Sequence, residues 1–365
     1  MIKYSVLLLF ILMSFCSCET MQQMSIDYMV PADISFPASL RKVAVVNNTS
    51  TTPDNKLLPQ ENKTKSENER SRAVAYHYGD AQATTESLAK AIAEQNYFDE
   101  VIICDSALRA KDITPRESTL SAQEVEELIQ NLNADVIIAL ENLQIKATRV
   151  ISYFPDWNTY YGTLDTKIYP SIKVYLPNRK SPLATINSND SIFWEEYGST
   201  ETSVLTHLPK DAQMLTEASD FAGTVPVKHL LPYWKTSNRY VFINGSVDMR
   251  DAAIYVREKQ WEKANKLWQQ EYKSSKSDKK KMRAALNIAL YYEMNDSIEE
   301  AGKWATEAQI LARKVDKIDQ KATEKIDLNS IPNYYLTTLY VNELNERISG
   351  ISLLNGQMSR FKDDF

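Results

Sequence analysis

The sequence predicts a mixed α+β / α/β fold: a mixed sheet with crossover helices, followed by an all-α domain of helical hairpins. Three observations carry this prediction. Short apolar runs of strand length alternate with helical stretches up to residue 140, and from there to about 195 apolar and polar residues alternate with period two. From Ser246 the pattern becomes helical and repeats on itself. With 365 residues, 43% hydrophobic and 25% charged, the chain is long enough for two domains with proper cores.

Residues 1–17 read as an export signal: one positive charge at Lys3, an apolar run from Val6 to Met13, then small and polar residues. The run is too short for a permanent span, which needs about 20 apolar residues. An Ala-x-Ala cleavage site is missing, and Phe15-Cys16-Ser17-Cys18 stands in its place. This resembles a bacterial lipobox, with Phe15 where Leu is favoured. The resemblance implies that Cys18 becomes the first mature residue, its thiol carrying diacylglycerol and its amine a further acyl chain such as palmitate. Several chains anchor stably where one holds only weakly. The plain alternative is a secretory signal that happens to contain two cysteines. Only one acidic residue, Glu19, lies between positions 19 and 23. An acidic cluster there would look like a surface-export signal, so the expected location is the periplasmic leaflet of the outer membrane.

Residues 18–40 read as a tether, its last part held extended by Pro31 and Pro37. The sheet domain is expected over 41–245. Its first strand is the run Lys42 to Val46, closed by Asn47 and Asn48, and a long polar loop is expected over 47–72. Ala81, Leu88, Ala91, Ile92 and Ala93 share a helical face between Asp80 and Asn96, and a buried strand follows at Val101 to Cys104. Ser121 with Glu124 is a capping box that opens a helix through Leu132, and Asp135 to Leu140 is another buried strand. Residues 143–151, 165–176 and 183–195 read as antiparallel strands of the same sheet, and Pro170, without an amide donor, points to an edge. A helix over 210–231 and a strand over 239–243 complete the domain.

The helical domain is expected over 246–350, with a tail at 351–365. Ala252, Tyr255, Trp261, Ala264 and Trp268 recur 37 residues later as Ala289, Tyr292, Ile298, Ala301 and Ala305. The order of small, aromatic and bulky positions resembles the tetratricopeptide pattern, with Glu271 departing from it where Ala308 matches. Two such hairpins cannot bury themselves alone, so they must lean on the sheet domain or on a helix around Tyr334 to Ile348.

Composition narrows the chemistry. Eight glycines and three histidines leave little material for phosphate-cradling loops or His-based metal sites. A net charge of -6 argues against general nucleic-acid binding. His77, His207 and His229 lack partners at metal or triad spacing, no nucleophile elbow, P-loop or dinucleotide fingerprint occurs, and adjacent Glu195 and Glu196 point to opposite faces of a strand. No cofactor, metal site or catalytic residue is therefore expected, although carboxylates distant in sequence can still meet in the fold. Cys104, after Val101 to Ile103, reads as an inert core thiol. The basic run Arg257 to Arg283 holds ten Lys or Arg against four acidic residues; with Trp261 and Trp268 at packing positions, it reads as a solvated helix face.

The segment Tyr153 to Gly162 gathers aromatics between two strands with no periodicity to bury them. It is either an exposed contact surface, with Trp157, Tyr160 and Tyr161 as partner-binding residues, or a satellite core folded under the sheet.

Four islands carry a wider likeness: Pro31 to Ile34 leading to Arg41 to Asn47, Ala134 to Leu140, Leu231 to Trp234 with Arg239-Tyr240, and the Trp261 to Trp268 hairpin. On these the chain resembles an uncharacterised family of Bacteroidota lipoproteins. The strand-helix alternation ending in Ala134 to Leu140 is similar, at longer range, to the periplasmic domains of curli-secretion and TolB-like envelope lipoproteins. Asp105-Ser106-Ala107, Asp190-Ser191-Ile192 and Asp296-Ser297-Ile298 resemble the O-glycosylation sites of Bacteroidota periplasmic proteins, making Ser106, Ser191 and Ser297 candidates. The expectation is an outer-membrane lipoprotein held to lipid through Cys18, binding one or more envelope proteins and no nucleic acid. The alternatives are a glycan-binding protein or hydrolase with a site between the domains, and an oligomeric secretion-associated subunit.

Overall fold

The computed structural model describes residues 21–50, 68–104, 106–112, 119–321 and 327–364. The strands in chain order are β1 (Met21–Val30), β2 (Lys42–Asn47), β3 (Glu69–Tyr78), β4 (Glu100–Cys104), β5 (Val136–Phe154), β6 (Thr159–Tyr175), β7 (Ala184–Asn187), β8 (Asp190–Gly198) and β9 (Tyr233–Phe242). The helices are α1 (Ala81–Glu94), α2 (Ala122–Leu132), α3 (Glu201–His207), α4 (Asp211–Thr224), α5 (Val227–Leu230), α6 (Val247–Arg257), α7 (Trp261–Ser274), α8 (Asp278–Met294), α9 (Ile298–Val315), α10 (Ile318–Lys321) and α11 (Pro332–Met358). The chain packs as two units: a sheet unit of Pro31–Tyr233 with Asn355–Phe365, and a helical unit of Met1–Val30 with Trp234–Leu354.

In the sheet unit the strand order is β4-β2-β5-β6-β7, with β3 also beside β5 and β8 also beside β6. β2 runs parallel to both β4 and β5. Both faces of this parallel part are covered, as its unbroken apolar runs require. Val43, Val45, Val136 and Ile138 pack with Leu88 and Ile92 of α1, while Ala44, Val46, Ile137 and Ala139 pack with Val125 of α2. The capping box read from sequence is present, Ser121 with Glu124 forming the reciprocal pair, and Asp80 caps α1 by accepting from the amides of Gln82 and Ala83.

The remainder of the sheet is antiparallel and is built on β5, 19 residues long. Just after its parallel-paired part Leu140 faces Ile172 and Asn142 faces Ser171, which leaves Glu141 as an extra, bulged residue. The bulge restores alternation, so that Leu143 and Ile145 lie on the same face as Ile138 and Leu140. That face of the antiparallel half is covered by Val204 of α3 with Met214, Ala218 and Ala222 of α4. Helices α1 and α4 approach closely at Gly223, where a Cβ would lie 2.5 Å from the Thr84 carbonyl oxygen and 2.6 Å from the Leu88 nitrogen. Thr84 Oγ1 donates to the Ser219 carbonyl at 2.8 Å, and the Asp80 amide donates to Ser219 Oγ at 2.9 Å.

In the helical unit β1 and β9 form a two-stranded ribbon. Consecutive helices α6 to α9 make the two hairpins expected from the repeat. Ala252, Ala264, Trp268, Ala289, Ala301, Ala305 and Ala308 are all fully buried, the small residues letting the helices approach around Trp268. Tyr340, Val341 and Leu344 of α11 join this core, as do Val241 and Phe242 of β9. The outer partner demanded by two hairpins is thus α11 together with the ribbon.

Several expectations are corrected. Residues 21–30 are not tether but strand β1: Ser25 Oγ donates to Asn238 Oδ1, and Thr236 Oγ1 to Asp27 Oδ1. Asn48 and Glu69 to Arg72, taken as ends of a polar loop, are a fully buried side chain and the start of β3; residues 51–67 lie outside the described residues. Charged and small residues can occupy β3 because, among the described residues, it borders only β5. Val101 to Cys104 is an edge strand and not a fully buried one, with Ile103 41% exposed and Cys104 half-buried against the Ala44–Val46 cluster.

Pro170 does not mark an edge. Its carbonyl accepts from the Ser188 amide, and because a strand residue presents N–H and C=O to the same side, the missing donor falls at the break between β7 and β8. The helix over 210–231 divides into α4 and α5 around Val225 and Pro226, since proline favours a helix start and not its interior. The division between units falls at Trp234, earlier than 246, because β9 pairs with β1. Residues 351–358 are helix and not tail. Gln357 donates to the carbonyls of Ala32 and Ile34 and accepts from the Ala32 amide.

Gly223→Ala drives a methyl group into the α1 backbone and should cost about 1–3 kcal/mol, read as a lower urea midpoint at unchanged slope. Gly356→Ala, where a Cβ meets nothing within 4 Å, should leave the midpoint unchanged or raise it slightly.

Candidate functional site

The aromatic segment forms the tip of the β5–β6 hairpin. Pro155 to Trp157 make one 3-10 turn, and Asn158 closes it in the left-handed region at φ +47°, a conformation asparagine tolerates. Tyr153 donates its hydroxyl to Asn158 Oδ1 at 2.9 Å, fixing the turn. The three sequence-predicted residues are brought together here but differ in role. Trp157 is 74% exposed, with its ring 5.7 Å from Phe154. Tyr161 stacks on Tyr197 of β8 at 4.7 Å and donates to Glu195 at 2.7 Å. That hydrogen bond pushes its hydroxyl up to about 12. Tyr160 turns the other way: it packs against the Ile151–Val204 core and lies 4.8 Å from Tyr153. Arg70 of β3 sits 5.6 Å over the Tyr153 ring. The tip therefore joins a rim of exposed Trp157 and Tyr197 with half-buried Phe154 and Tyr161 to an inner anchor at Tyr160. Tyr197 and Arg70 belong to it only through strand pairing.

The other candidates are scattered. Ser106, Ser191 and Ser297 are exposed, respectively after β4, in β8 and at the start of α9. Cys18 lies outside the described residues. His77 sits in β3, His207 bonds the Ser203 carbonyl, and His229 pairs with Asp33 at 2.8 Å, so the three do not converge. Among the described residues no group of three His, Cys, Asp or Glu is placed to hold a metal ion, and no helix is long and apolar enough to cross a membrane.

Two buried polar clusters escaped the sequence reading. Beside the carboxyl end of β2, the bulged Glu141 of β5 accepts from Asn48 Nδ2 at 2.9 Å and from the Tyr175 hydroxyl at 2.7 Å. Burial raises its carboxyl to about 7, against the opposing pull of the Tyr175 hydrogen bond and nearby Lys173. Arg109 pairs with Glu124 at 2.5 Å and holds that carboxylate down at about 2. The one legible hint was a charged residue directly after the apolar run ending at Leu140. Among the described residues no second carboxylate or histidine bonds Glu141, so the cluster provides a proton that titrates near neutrality without the partners of a catalytic pair.

In the helical unit Glu293, fully buried, accepts two hydrogen bonds from Arg239 at 2.8 Å, one from Tyr340 at 2.6 Å and one from Arg347 at 2.5 Å. Arg239 also pairs with Glu343 at 2.8 Å. Burial opposes ionisation of Glu343, but hydrogen bonds from Ser237 and Tyr28 and the charge of Arg239 hold it at about 2. A cavity of about 180 Å³ adjoins this network, lined by Leu286, Leu290, Leu336, Leu339 and Tyr340. The bidentate fork ties β9 to α8 and α11.

Residues 40–242, more than half of the chain, match a domain of unknown function, DUF8603. The chain belongs to this family. Residues 250–346 match a second domain of unknown function, DUF6340, so the two matches fall on the sheet and the hairpins respectively. No curated protein matches the chain.

Glu141 gives a signed pH dependence. Its folded pKa of about 7 exceeds the ordinary 4.5, so its contribution is fully present below about pH 4.5 and is lost as pH rises through 7. The loss is on the order of 3 kcal/mol. The stability difference between wild type and Glu141→Gln should shift toward the variant over that window; a difference independent of pH would contradict the raised value. Glu293→Gln removes a buried charge that buried Arg239 and half-buried Arg347 share, leaving Arg239 only Glu343, and should cost about 3–5 kcal/mol in urea unfolding.

Proposed function

We propose that this DUF8603 chain is an outer-membrane lipoprotein, anchored through acylated Cys18 on the periplasmic face, that acts as a protein-binding adaptor in the cell envelope. The observation that carries the reading is the exposed aromatic rim at the β5–β6 tip, with Trp157 74% exposed at its end. Rigid, amphipathic rings fixed by a hydrogen-bonded turn lose little entropy on contact, which is why such residues dominate binding energy at interfaces. The anchor rests on the Phe15-Cys16-Ser17-Cys18 pattern. Acyl chains keep the protein at the membrane while the tip engages a partner, so the mechanism is recognition and co-localisation.

Labelled palmitate should join the wild-type chain in cells and should not join Cys18→Ser. A photo-crosslinking residue at Asp156, beside the exposed ring, should capture a defined envelope protein, and Trp157→Ala should reduce that capture by about tenfold or more with unchanged melting. Tyr160→Ala should lower the melting temperature as well, because that ring packs inward. Capture indifferent to Trp157→Ala would remove the tip from the mechanism, and an unmodified amino terminus would remove the anchor.

A further inference from the structure

The charge of this chain is unevenly distributed. Residues 257–283 carry ten of its 42 Lys and Arg and four of its 48 Asp and Glu, so this run is +6 in a chain whose net charge is -6. One of the four acids, Glu271, is buried, and Glu262 pairs with Lys266 at 3.1 Å. Lys263, Lys266 and Lys273 lie at intervals of three and seven residues on α7, which sets them on one side of the helix, opposite buried Ala264 and Trp268. Lys276 in the link to α8 and Lys279 and Lys280 in its first turn extend the stripe, and all six lysines are exposed.

The end of this stripe lies beside the start of β1. Ser25 bonds Asn238 and Asp27 bonds Thr236, so β1 and β9 run antiparallel and Met21 falls at the level of Phe242. Phe242 in turn sits on α8: its amide and carbonyl bond the Asn287 side chain at 2.8 Å, and the Arg283 guanidinium lies 5.0 Å over its ring. Lys279 and Lys280 stand one turn before Arg283. Cys18 precedes Met21 by three residues, about 10 Å of chain at full extension.

Lysine suits a diffuse array of phosphate head groups, because its hydrated ammonium on a flexible stem is a point charge that needs no fixed geometry. Several such side chains next to a membrane anchor are what anionic lipids attract, each acting within about a Debye length of the surface. A chain of net charge -6 is otherwise repelled from such a surface, so the stripe also selects which side of the helical unit approaches it.

We infer that the lysine stripe of α7 and the start of α8 docks the helical unit on the head groups of an anionic lipid surface. The membrane setting rests on the anchor proposed at Cys18, but the contact itself needs no acyl chain.

The full-length chain carrying Cys18→Ser cannot be acylated, and co-flotation reads its partitioning onto vesicles. Vesicles of phosphatidylcholine with about 30 mol% phosphatidylglycerol should bind it about tenfold or more tightly than phosphatidylcholine alone, and raising salt from about 0.05 M to about 0.5 M should abolish that gain. Lys266→Gln/Lys273→Gln/Lys280→Gln should cut the gain about tenfold with unchanged melting, since all three side chains are exposed. Lys90→Gln/Lys180→Gln/Lys210→Gln makes the same change in net charge at exposed positions of the sheet unit and should keep the gain. The inference is overturned by binding indifferent to phosphatidylglycerol or by equal losses in the two triple variants. It is also overturned if a photo-crosslinker at exposed Gln270, within the stripe, captures an acidic protein in cells while the vesicles stay unbound. Wild type that salt releases as readily as Cys18→Ser would remove the anchor and leave the lysine contact in place, so the two failures are distinguishable.

Discussion

The sheet unit depends on one extra residue in one strand. β5 is at once the partner of parallel β2 and the partner of antiparallel β3 and β6, and a strand doing both must keep its apolar side chains on the helix-covered face throughout. The apolar positions change parity at Glu141, from Val136, Ile138 and Leu140 to Leu143, Ile145 and Ala147. Without the bulge at Glu141 the second set would point to the other face, because strand alternation has a period of two. The bulge thus decides which face receives α3 and α4 and which direction the hairpin tip takes. It also places a carboxyl among Asn48, Tyr175 and Lys173, where burial raises it toward neutrality.

The helical unit rests on a different device. Alanines at the repeat positions allow α6 to α9 to pack around Trp268, but two hairpins leave an apolar side uncovered. Residues from opposite ends of the chain, β1 and α11, complete the unit with β9 between them in sequence. Glu293 sits where Arg239 of β9 and Tyr340 and Arg347 of α11 converge on α8. A buried carboxylate with two arginines is a weak source of stability against an apolar alternative, but it tolerates only one arrangement of its partners, which specifies how these segments meet.

The antiparallel half differs between its two faces. Its helix-covered face is apolar, and its other face carries Tyr76, Tyr78, Phe193 and Tyr197, each more than half exposed. An exposed ring at the tip is suited to contact with a partner of different sequence.

The local signals were legible wherever a residue's role depended on its near neighbours. The capping box at Ser121, the apolar runs of β2 and β5, and the 37-residue repeat follow from propensity and periodicity alone, as does the concentration of rings at Tyr153 to Tyr161. The folding of the chain in space decided the rest. Residues 21–30 look like a tether because half a ribbon has no stability until β9 lies beside it, and the last turn of α11 looks like a tail until Gln357 finds the Ala32 and Ile34 carbonyls. Pro170 signals an edge by its chemistry, and only the gap between β7 and β8 shows why an inner strand accepts it. Glu141 and Glu293 read as ordinary acidic residues because the segments that bury them and hydrogen-bond to them lie far away in sequence.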